Sequence, residues 1–435
     1  MIAARAFADR HYALYGLARS GLATVEALLA SGAKVTAWDD SEEARAKAPE
    51  GAELEDFDTA DLARFDSLVV SPGVPLNRHP IAERARDAGV EIIGDIELFA
   101  RARPQLPAHR VVGITGTNGK STTTALIHHI LKTAGVPSAM GGNIGLPILA
   151  QDPLAPNDKG VGVYVLELSS YQLDLTQSLD CDVAVLLNIT PDHLDRYEGF
   201  EAYAGSKARL FAMQTRGRVG IIAEDDEPTR EIGAKLGRDD YWRRNKLVCV
   251  SRIDVGLQAN LPTLQGPHNA QNIACAVATC RHLGVSYATI VAGLETYPGL
   301  PHRMERVRDK DGVVFVNDSK ATNPTAAAPA LAAFTGIRWI CGGQAKSDSL
   351  DECEPHFGHV AKAYTIGEAA ELFERLLKPH MPVKNCRELE AAVKAAAQDA
   401  QSGDTVLLSP ACASFDQFRD FEERGDRFRE CVGAL

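Results

Sequence analysis

The stretch that decides the fold is Val111-Val112-Gly113-Ile114-Thr115-Gly116-Thr117-Asn118-Gly119-Lys120-Ser121-Thr122. It begins as an apolar run typical of a strand, passes through a glycine-rich loop and continues into a helical pattern over Ser121–Ala134. Glycines let backbone N–H groups turn inward around phosphate oxygens, and the positive end of the helix points at the same place. In such a loop Lys120 reaches the terminal phosphates and Ser121 joins a Mg²⁺ shell. The stretch therefore predicts a nucleotide-phosphate site, although five residues, not four, separate Gly113 from Gly119.

Outward from this loop, short β-branched runs alternate with helical patterns, which is typical of parallel α/β architecture. The predicted strands are Tyr12–Tyr15, Lys34–Trp38, Ser67–Val70, Val90–Ile93, Val111–Ile114, Tyr164–Leu168, Val183–Ile189, Gly220–Ala223, Leu247–Val250, Val313–Val316, Trp339–Cys341, Ala363–Ile366 and Val406–Leu408. We predict three α/β domains: a Rossmann-like domain over 1–99, a central P-loop domain with a mostly parallel sheet over 100–301, and a C-terminal domain over 302–435.

Composition narrows the class of protein. The 435 residues include 46 Lys and Arg against 58 Asp and Glu, a net charge of −12. This balance argues against a general nucleic-acid or anionic-membrane binder, because phosphate neutralisation needs clustered cations. Nine scattered cysteines without a CxxC pair indicate reduced core thiols. Neither a signal-peptide core nor a long apolar segment is found, so we expect a cytoplasmic protein without membrane insertion.

Four further residues of the central block could carry chemistry. Asn143 lies in the glycine-rich loop Gly141–Gly145, and Glu167 and His193 each follow an apolar strand. A carboxylate at a strand end is a suitable ligand for phosphate-bound Mg²⁺, whereas the alternatives are a solvated Glu167 and a structural His193. Lys207, judged from its neighbours alone, is an ordinary solvated helix lysine.

At this point the motifs resemble a family. The matching stretches are Thr115–Thr122, Glu167–Ser170, Asp192-His193, Gly266–Asn269 with Asn272, and Leu300–Arg303. They occur in order along almost the whole chain and resemble the Mur ligases, ATP-dependent amide-forming enzymes of peptidoglycan synthesis. Three more stretches are similar to the branch of that family that adds D-glutamate: Gly94–Phe99, Asn317–Asn323 and Leu408–Phe418.

The resemblance implies that the central domain over 100–301 is a P-loop ATPase and that the C-terminal domain over 302–435 is Rossmann-like. It also implies a reaction and its cofactors. D-Glutamate would be joined to UDP-N-acetylmuramoyl-L-alanine through an acyl phosphate, with release of ADP and phosphate. The implied cofactors are ATP and two Mg²⁺ ions, and Lys207 matches a family lysine that is carbamylated by CO₂. The implied ATP-binding residues are Gly116, Thr117, Asn118, Gly119, Lys120, Ser121, Thr122, Asn269, Asn272, Arg303 and Asp318. The implied metal ligands are Ser121, Glu167, His193 and Lys207, and the implied catalytic residues are Lys120, Asn143, His193 and Lys207.

The resemblance also implies two substrate sites. The UDP-sugar site would comprise Arg19, Ser20, Asp39, Asp40, Gly73 and Asn143. The turn Gly16–Gly21 departs from the family pattern at Ala18 and Arg19, and Asp40 replaces a neutral residue. The D-glutamate site would comprise Lys320, Thr322, Lys346, Ser414 and Phe421. Two lysines and two hydroxyls suit an amino acid with two carboxylates. The alternatives are a loop lysine at 346, helix core at Phe421 and a buried structural role for Asn272.

Three rival functions remain open at this stage. Another ligase of the superfamily, such as a folylpolyglutamate synthase, is the nearest. A dehydrogenase is suggested by Gly16–Gly21 followed by Asp39, although the GxGxxG pattern is missing. A non-catalytic nucleotide-sensing scaffold is the third. We expect a monomer that binds small molecules and no nucleic acid.

Overall fold

The computed structural model describes residues 1–192, 195–240, 242, 245–252, 258, 261 and 263–435. The chain divides into two compact units. The first comprises Met1–Asp254 and Gln271–Leu294, and the second comprises Val255–Ala270 and Glu295–Leu435.

The first sheet of unit one has five parallel strands in the order β3-β2-β1-β4-β5. Its strands are β1 His11–Tyr15, β2 Lys34–Trp38, β3 Glu53–Leu54, β4 Ser67–Val70 and β5 Glu91–Ile93, and its helices are α1 Arg19–Ala30, α2 Glu42–Arg45, α3 Ile81–Asp87 and α4 Asp95–Ala102. The strand order reverses direction at β1 and β4. In an open parallel sheet a ligand crevice forms outside the carboxyl ends of such a pair.

The second sheet of unit one has six parallel strands in the order β11-β10-β9-β6-β8-β7. Its strands are β6 His109–Thr115, β7 Ser138–Gly142, β8 Gly162–Glu167, β9 Val183–Leu186, β10 Val219–Ala223 and β11 Lys246–Val250, and the helices of this part are α5 Lys120–Thr133, α6 Ser170–Asp174, α7 Phe200–Ala212, α8 Glu227–Arg238, α9 Pro267–His282 and α10 Tyr287–Glu295. The apolar run Val111–Ile114 lies in β6 and is fully buried, as expected for an inner strand of a parallel sheet. The glycine-rich loop follows directly at the carboxyl end of β6.

Helix α4 joins the two sheets of unit one. The Phe99 ring packs edge-on against Tyr164 of β8, with ring centroids 5.1 Å apart. The Glu97 carboxylate is buried and accepts hydrogen bonds from the backbone N–H groups of Gln177 and Ser178, at 2.7 and 2.9 Å. The two sheets share one apolar core through this helix.

The sheet of unit two has six strands in the order β12-β13-β17-β14-β15-β16. Its strands are β12 Glu305–Lys310, β13 Val313–Asn317, β14 Ile337–Gly342, β15 Val360–Ile366, β16 Val383–Arg387 and β17 Thr405–Leu408, and its helices are α11 Pro324–Ala333, α12 Ala370–Leu377, α13 Leu389–Asp399 and α14 Phe421–Gly433. Only the β12–β13 pair is antiparallel. Apolar clusters cover both faces, one around Trp339 and the other around Phe428.

The predicted α/β class with mostly parallel sheets is confirmed, and each predicted strand is found within a few residues of its expected bounds. Four strands were not predicted: β3, β7, β12 and β16. All four are edge strands, and β12 and β16 carry polar residues at most positions, so they lack the apolar run that marks an inner strand. All nine cysteines are free thiols. No described helix is long and apolar enough to cross a membrane.

Candidate active site

The glycine-rich loop has the backbone geometry of a phosphate cradle. Gly116 and Gly119 both have positive φ, at +152° and +83°, which side-chain-bearing residues rarely adopt. Gly119 is the N-cap of α5 and has no side chain that could cap the helix, and a helix N-terminus of this kind suits a phosphate. A Cβ on Gly119 would lie 2.3 Å from Asn272 Oδ1. Glycine is therefore required at 119 both for its φ and for the close approach of α9.

Asn188, at the end of the segment that follows β9, holds this loop in place. Its carbonyl accepts from Thr117 N at 2.8 Å, and its side-chain Oδ1 accepts from Asn118 N at 2.8 Å. Its Nδ2 donates to Asn118 O at 3.0 Å and to Gln271 Oε1 at 2.8 Å. Sequence reasoning missed Asn188 as a site residue, although it stands in the apolar-to-polar transition Leu187-Asn188 that marks the end of a strand.

Two lysine side chains meet at the loop. Lys120 Nζ donates to Gly116 O at 2.9 Å and to Thr117 O at 2.7 Å. Lys207 Nζ, from α7, donates to the same Gly116 carbonyl at 2.9 Å. The loop thus concentrates two amino groups and a helix N-terminus in one place, as a polyanionic ligand requires.

The sequence-based alternative of a solvated Lys207 is wrong, because the side chain is only 1% exposed. Its Nζ lies 4.5 Å from the centroid of the Tyr203 ring. No described carboxylate lies within ion-pair distance of it. Burial, together with the nearby Lys120 charge, lowers the pKa of Lys207 to about 7. Near neutral pH a large part of this amine is therefore uncharged and nucleophilic.

Glu167 and Asn143 form a pair at the carboxyl ends of β8 and β7. Asn143 Nδ2 donates to Glu167 Oε1 at 2.9 Å, and Asn143 N donates to the Glu167 carbonyl at 2.9 Å. Glu167 is buried, and its Oε2 has no hydrogen-bond partner among the described residues. A buried carboxylate oxygen without a donor fits a hard cation such as Mg²⁺. Ser121, at the start of α5, is also buried.

His193 lies outside the described residues, so its predicted role stays a prediction. Among the described residues, no group of three or more His, Cys, Asp and Glu side chains could hold a metal ion. A Mg²⁺ site around Glu167 would therefore need hydroxyl and phosphate oxygens in addition to protein carboxylates.

Asn269 and Asn272 both lie in α9. Asn272 is 1% exposed, and its Oδ1 accepts from Thr123 Oγ1 of α5 at 3.2 Å. Asn269 Nδ2 donates to Gln265 O at 2.9 Å. The structure thus gives Asn272 a packing contact with the helix of the phosphate loop, in keeping with the structural alternative considered for it.

Five of the predicted UDP-sugar residues follow the carboxyl ends of β1, β2 and β4, whereas the sixth, Asn143, follows β7 of the second sheet. Asp39 Oδ2 accepts from Leu17 N at 2.7 Å and thereby anchors the Gly16–Gly21 turn. Asp40 Oδ1 accepts from the Tyr15 hydroxyl at 2.6 Å. The N-cap of α1, Ala18, has no side chain that could cap the helix, and Arg19 is exposed beside it. An uncapped helix N-terminus next to an exposed arginine suits a pyrophosphate.

In unit two, the residues predicted to bind D-glutamate either follow the carboxyl ends of β13, β14 and β17 or begin α14. Lys320 Nζ lies 3.9 Å from the centroid of the Phe421 ring, so these two predicted residues are in contact. Ser414 is 2% exposed, Thr322 is half-buried and Lys346 is exposed in the loop after β14. The Phe421 ring also faces the His302 ring edge-on, at 6.2 Å.

Arg424 is a buried residue of this region that sequence reasoning missed. It is 1% exposed, and its guanidinium donates to Ser319 Oγ at 3.0 Å and to the carbonyls of Ser319, Cys412 and Ala413 at 2.9, 3.1 and 3.2 Å. Burial lowers the pKa of Arg424 to about 10, which leaves it charged at pH 7. It joins the segment after β13 to the segment that precedes Ser414 and places a buried positive charge next to these predicted residues.

Asp318, a predicted ATP contact, lies at the end of β13 and is 7% exposed. Its Oδ2 accepts from Ser409 Oγ at 2.8 Å and its Oδ1 accepts from Met304 N at 3.2 Å. Burial raises the pKa of Asp318 to about 7. The neighbouring Arg303 is half-buried at the start of the same unit.

Comparison with known protein families gives matches along most of the chain. The matching family models are described as "Mur ligase MurD-like, N-terminal domain" over residues 10–94, "Mur ligase middle domain" over 114–280 and "Mur ligase, glutamate ligase domain" over 302–412. Each model corresponds to one of the three sheets, and the middle one begins at the end of β6.

Curated relatives match over the full length. A protein of Novosphingobium aromaticivorans named UDP-N-acetylmuramoylalanine--D-glutamate ligase is 58% identical, covering 100% of this chain and 97% of the relative. A protein of the same name from Sphingopyxis alaskensis is 59% identical, covering 100% of both chains.

Among solved structures, UDP-N-acetylmuramate-alanine ligase MurC from Thermotoga maritima matches with a TM-score of 0.59 at 15% identity, over 98% of this chain and 99% of that chain. A second match, MurF from Acinetobacter baumannii, has a TM-score of 0.58 at 20% identity, over 96% and 90%. At 15% and 20% identity, these matches show only that this chain has the same fold as the two structures.

Proposed function

The chain belongs to the Mur ligase family, and from that premise we propose that it adds D-glutamate to UDP-N-acetylmuramoyl-L-alanine. The reaction consumes ATP and releases ADP and phosphate, as a step in peptidoglycan precursor synthesis. Full-length relatives at 58% and 59% identity carry the name of this activity. The Mur ligase family models match all three sheets, which favours a D-glutamate ligase over a folylpolyglutamate synthase, a dehydrogenase or a nucleotide sensor.

The three predicted domains divide the substrates among them. Residues 1–99 would bind the UDP-sugar, with Asp39 and the N-terminus of α1 as the described features that support it. Residues 100–301 would bind ATP on the loop between β6 and α5. Residues 302–435 would bind D-glutamate. The boundaries are supported by the separation of the sheets, whose strands end at Ile93, begin again at His109, end at Val250 and begin again at Glu305.

In the first step, the L-alanyl carboxylate attacks the γ-phosphate of ATP, the bond from the γ-phosphorus to the β,γ-bridging oxygen breaks, and ADP leaves. Transfer of a phosphoryl group depends mainly on positioning and on charge stabilisation. Lys120 supplies a cation from within the loop, and the N-terminal N–H groups of α5 supply aligned dipoles. Asn143, whose Nδ2 donates to Glu167 Oε1, would orient the acyl phosphate.

In the second step, the neutral amine of D-glutamate attacks the acyl carbon to form the C–N bond. The nitrogen loses one proton to solvent, and the bond from the acyl carbon to the phosphate oxygen breaks, so that phosphate leaves from the tetrahedral intermediate. Lys320, Thr322, Lys346 and Ser414 would hold the two carboxylates, and Phe421 would cover the aliphatic part of the amino acid. The buried Arg424 cation supports this assignment, because an anionic ligand is stabilised by a fixed positive charge.

Magnesium fits the residues of the phosphate site. Two ions would be held by Ser121, Glu167, His193 and carbamylated Lys207, with phosphate oxygens completing the shells. The Oε2 atom of Glu167, which has no hydrogen-bond partner among the residues that the structure describes, supports this assignment. When bound, Mg²⁺ neutralises the charge on the phosphate oxygens.

The observation that carries the proposal is the buried Lys207 amine beside the phosphate loop. Its neutral form attacks CO₂, an N–C bond forms, and one proton passes to solvent to leave a carbamate anion. This replaces a buried cation with an oxygen ligand suited to Mg²⁺. Burial and the pKa of about 7 support the reaction, because an ordinary lysine is almost fully protonated at neutral pH.

The test of the proposed function is phosphate release from ATP with UDP-N-acetylmuramoyl-L-alanine, with and without D-glutamate. We expect sustained release only when all three substrates are present, and a product heavier by one glutamyl residue in mass spectrometry. Sustained release without D-glutamate, or an equal rate with other amino acids, would contradict the assignment. We expect the reaction to take place in the cytoplasm. We also expect the enzyme to act as a monomer, and sedimentation measurements test this oligomeric state.

A further inference from the structure

The loop that follows β4 lies at the carboxyl edge of the first sheet, beside the Gly16–Gly21 turn. Ser71 Oγ donates to Gly16 O at 2.8 Å, so the loop and the turn are joined. Gly73 is exposed at its tip, and it belongs to the predicted UDP-sugar residues. The position of this loop therefore affects the shape of the sugar-nucleotide site.

Arg196, from the segment between β9 and α7, reaches across to this loop. Its guanidinium Nη2 donates to Val74 O at 2.8 Å, and its Nη1 donates to Gly73 O at 3.5 Å. The guanidinium carbon also lies 4.3 Å from the centroid of the Tyr171 ring, at the start of α6. One planar cation thus holds two consecutive carbonyls on one side and an aromatic face on the other, which a lysine cannot reproduce.

Asp195 adds two contacts at the same junction. Its carbonyl accepts from Asn77 Nδ2 at 3.0 Å, and its carboxylate pairs with Arg78 at 3.5 Å. Both charged side chains are about two-thirds exposed, so this ion pair contributes little energy. The contact between this segment and the loop after β4 therefore depends mainly on Arg196, which is half-buried.

From Arg196 a series of ring contacts leads to the phosphate loop. The Tyr171 ring stacks on Tyr197, with centroids 6.2 Å apart and planes 15° apart, and Tyr197 meets Tyr203 edge-on at 5.4 Å. The Tyr203 hydroxyl then lies 3.0 Å from Thr117 Oγ1. The same tyrosine lies beside Lys207. All of these groups are in unit one.

We propose that Arg196 is a positioning residue that sets the sugar-nucleotide loop at a fixed distance from the phosphate loop. This inference rests on the proposed function. The acceptor carboxylate lies at the far end of the sugar nucleotide, so a shift of the loop moves the nucleophile relative to the γ-phosphate. A misplacement of about 1 Å costs roughly a hundredfold in rate. Arg196 therefore influences both the binding of the sugar nucleotide and the phosphoryl transfer, without touching ATP.

The test compares Arg196→Gln with the parent enzyme in steady-state kinetics for each substrate. We expect the KM for UDP-N-acetylmuramoyl-L-alanine to rise about tenfold, as for the loss of a charge-assisted hydrogen bond, and kcat to fall about tenfold or more. The KM values for ATP and D-glutamate should stay within twofold. Arg196→Lys, which keeps one cationic donor, should give intermediate values. Arg86→Gln is the matched control, because Arg86 is exposed on α3 and its Nε donates to Ala82 O of the same helix.

The melting temperature separates positioning from a purely structural role. If Arg196→Gln lowers the melting temperature and leaves kcat and the sugar-nucleotide KM within twofold of the parent, the inference is wrong. An equal rise of all three KM values also overturns it. A parent enzyme that shows no turnover refutes the proposed function instead. Calorimetric titration with UDP-N-acetylmuramoyl-L-alanine then still tests Arg196, since equal dissociation constants for parent and variant would overturn the inference.

Discussion

Replacing Lys207 tests the chemistry of the phosphate site most directly. Lys207→Ala removes a side chain that is 1% exposed and whose Nζ lies 2.9 Å from Gly116 O. Lys207→Arg keeps a positive charge at the same place but cannot form a carbamate. If the residue acts only as a cation, the arginine variant should retain most of the parent turnover. If it acts as a carbamate that ligates Mg²⁺, both variants should be nearly inactive.

The lowered pKa of Lys207 determines how much of its amine can react with CO₂ at a given pH. With a pKa of about 7, roughly nine-tenths of the Lys207 amine is neutral at pH 8, against well under one per cent for a lysine of ordinary pKa. Carbamylation needs the neutral amine, so activity should rise as the pH increases from about 6 to about 8. Loss of one group that stabilises the transferring phosphate typically costs about 10²–10³ in turnover. We expect at least that loss for Lys207→Ala at saturating ATP and Mg²⁺.

The assay measures phosphate release side by side for the parent, Lys207→Ala, Lys207→Arg and the control Lys132→Ala, whose side chain is exposed at the end of α5. Formate or acetate should restore part of the activity of Lys207→Ala by supplying the missing carboxylate oxygen. The parent should also lose activity when CO₂ and bicarbonate are removed, provided the carbamate exchanges during the assay.

A spectroscopic readout complements the rates. With ¹³C-labelled bicarbonate, the parent should show a carbamate carbon resonance in NMR that Lys207→Ala lacks and Lys132→Ala retains. The carbamate is refuted if Lys207→Arg keeps most of the parent turnover, or if the labelled resonance is identical in the parent and in Lys207→Ala. In either case Lys207 does not act as a carbamate ligand.

Three further predictions test other parts of the molecule. Lys120→Ala should keep the backbone cradle and lose about 2.7–4 kcal/mol of transition-state stabilisation, roughly 10²–10³ in turnover; a variant within twofold of the parent contradicts the role given to Lys120. D-Glutamate should react at least about a hundredfold faster than L-glutamate or D-aspartate, because the amine must be aligned with the acyl phosphate, and equal turnover in a substrate panel would refute the pocket around Ser414. Burial raises the pKa of Asp95 to about 6, so the folded state holds a proton that the unfolded state releases between about pH 4 and 6. The free energy of unfolding of the parent, relative to that of Asp95→Asn, should therefore fall by roughly 1–3 kcal/mol over that interval and then level off. A difference between the two free energies that stays constant at all pH values would contradict this.

Local sequence was sufficient for the framework of the fold. The runs Val111–Ile114 and Val406–Leu408 are apolar at almost every position, and that pattern is stable only when both faces of a strand are buried, as in a parallel sheet. The phosphate loop with Gly116, Gly119 and Lys120 could also be predicted from the local sequence, because φ and helix capping depend on immediate neighbours. The edge strands β12 and β16 could not be predicted, since one side of an edge strand is solvated and its sequence needs no apolar run.

The chemistry of the site depended on contacts that no local pattern contains. Lys207 has the sequence of a solvated helix lysine, yet its Nζ is buried against a carbonyl 91 residues away, and that burial lowers its pKa. Asn188 and Arg424 gained their roles in the same way, from partners 70 and 105 residues distant. Periodicity and turn chemistry are set by residues a few positions apart, so the sequence alone determines them. Burial, desolvation and the pairing of polar groups arise only when distant segments pack together, and for that reason the tertiary structure decided them.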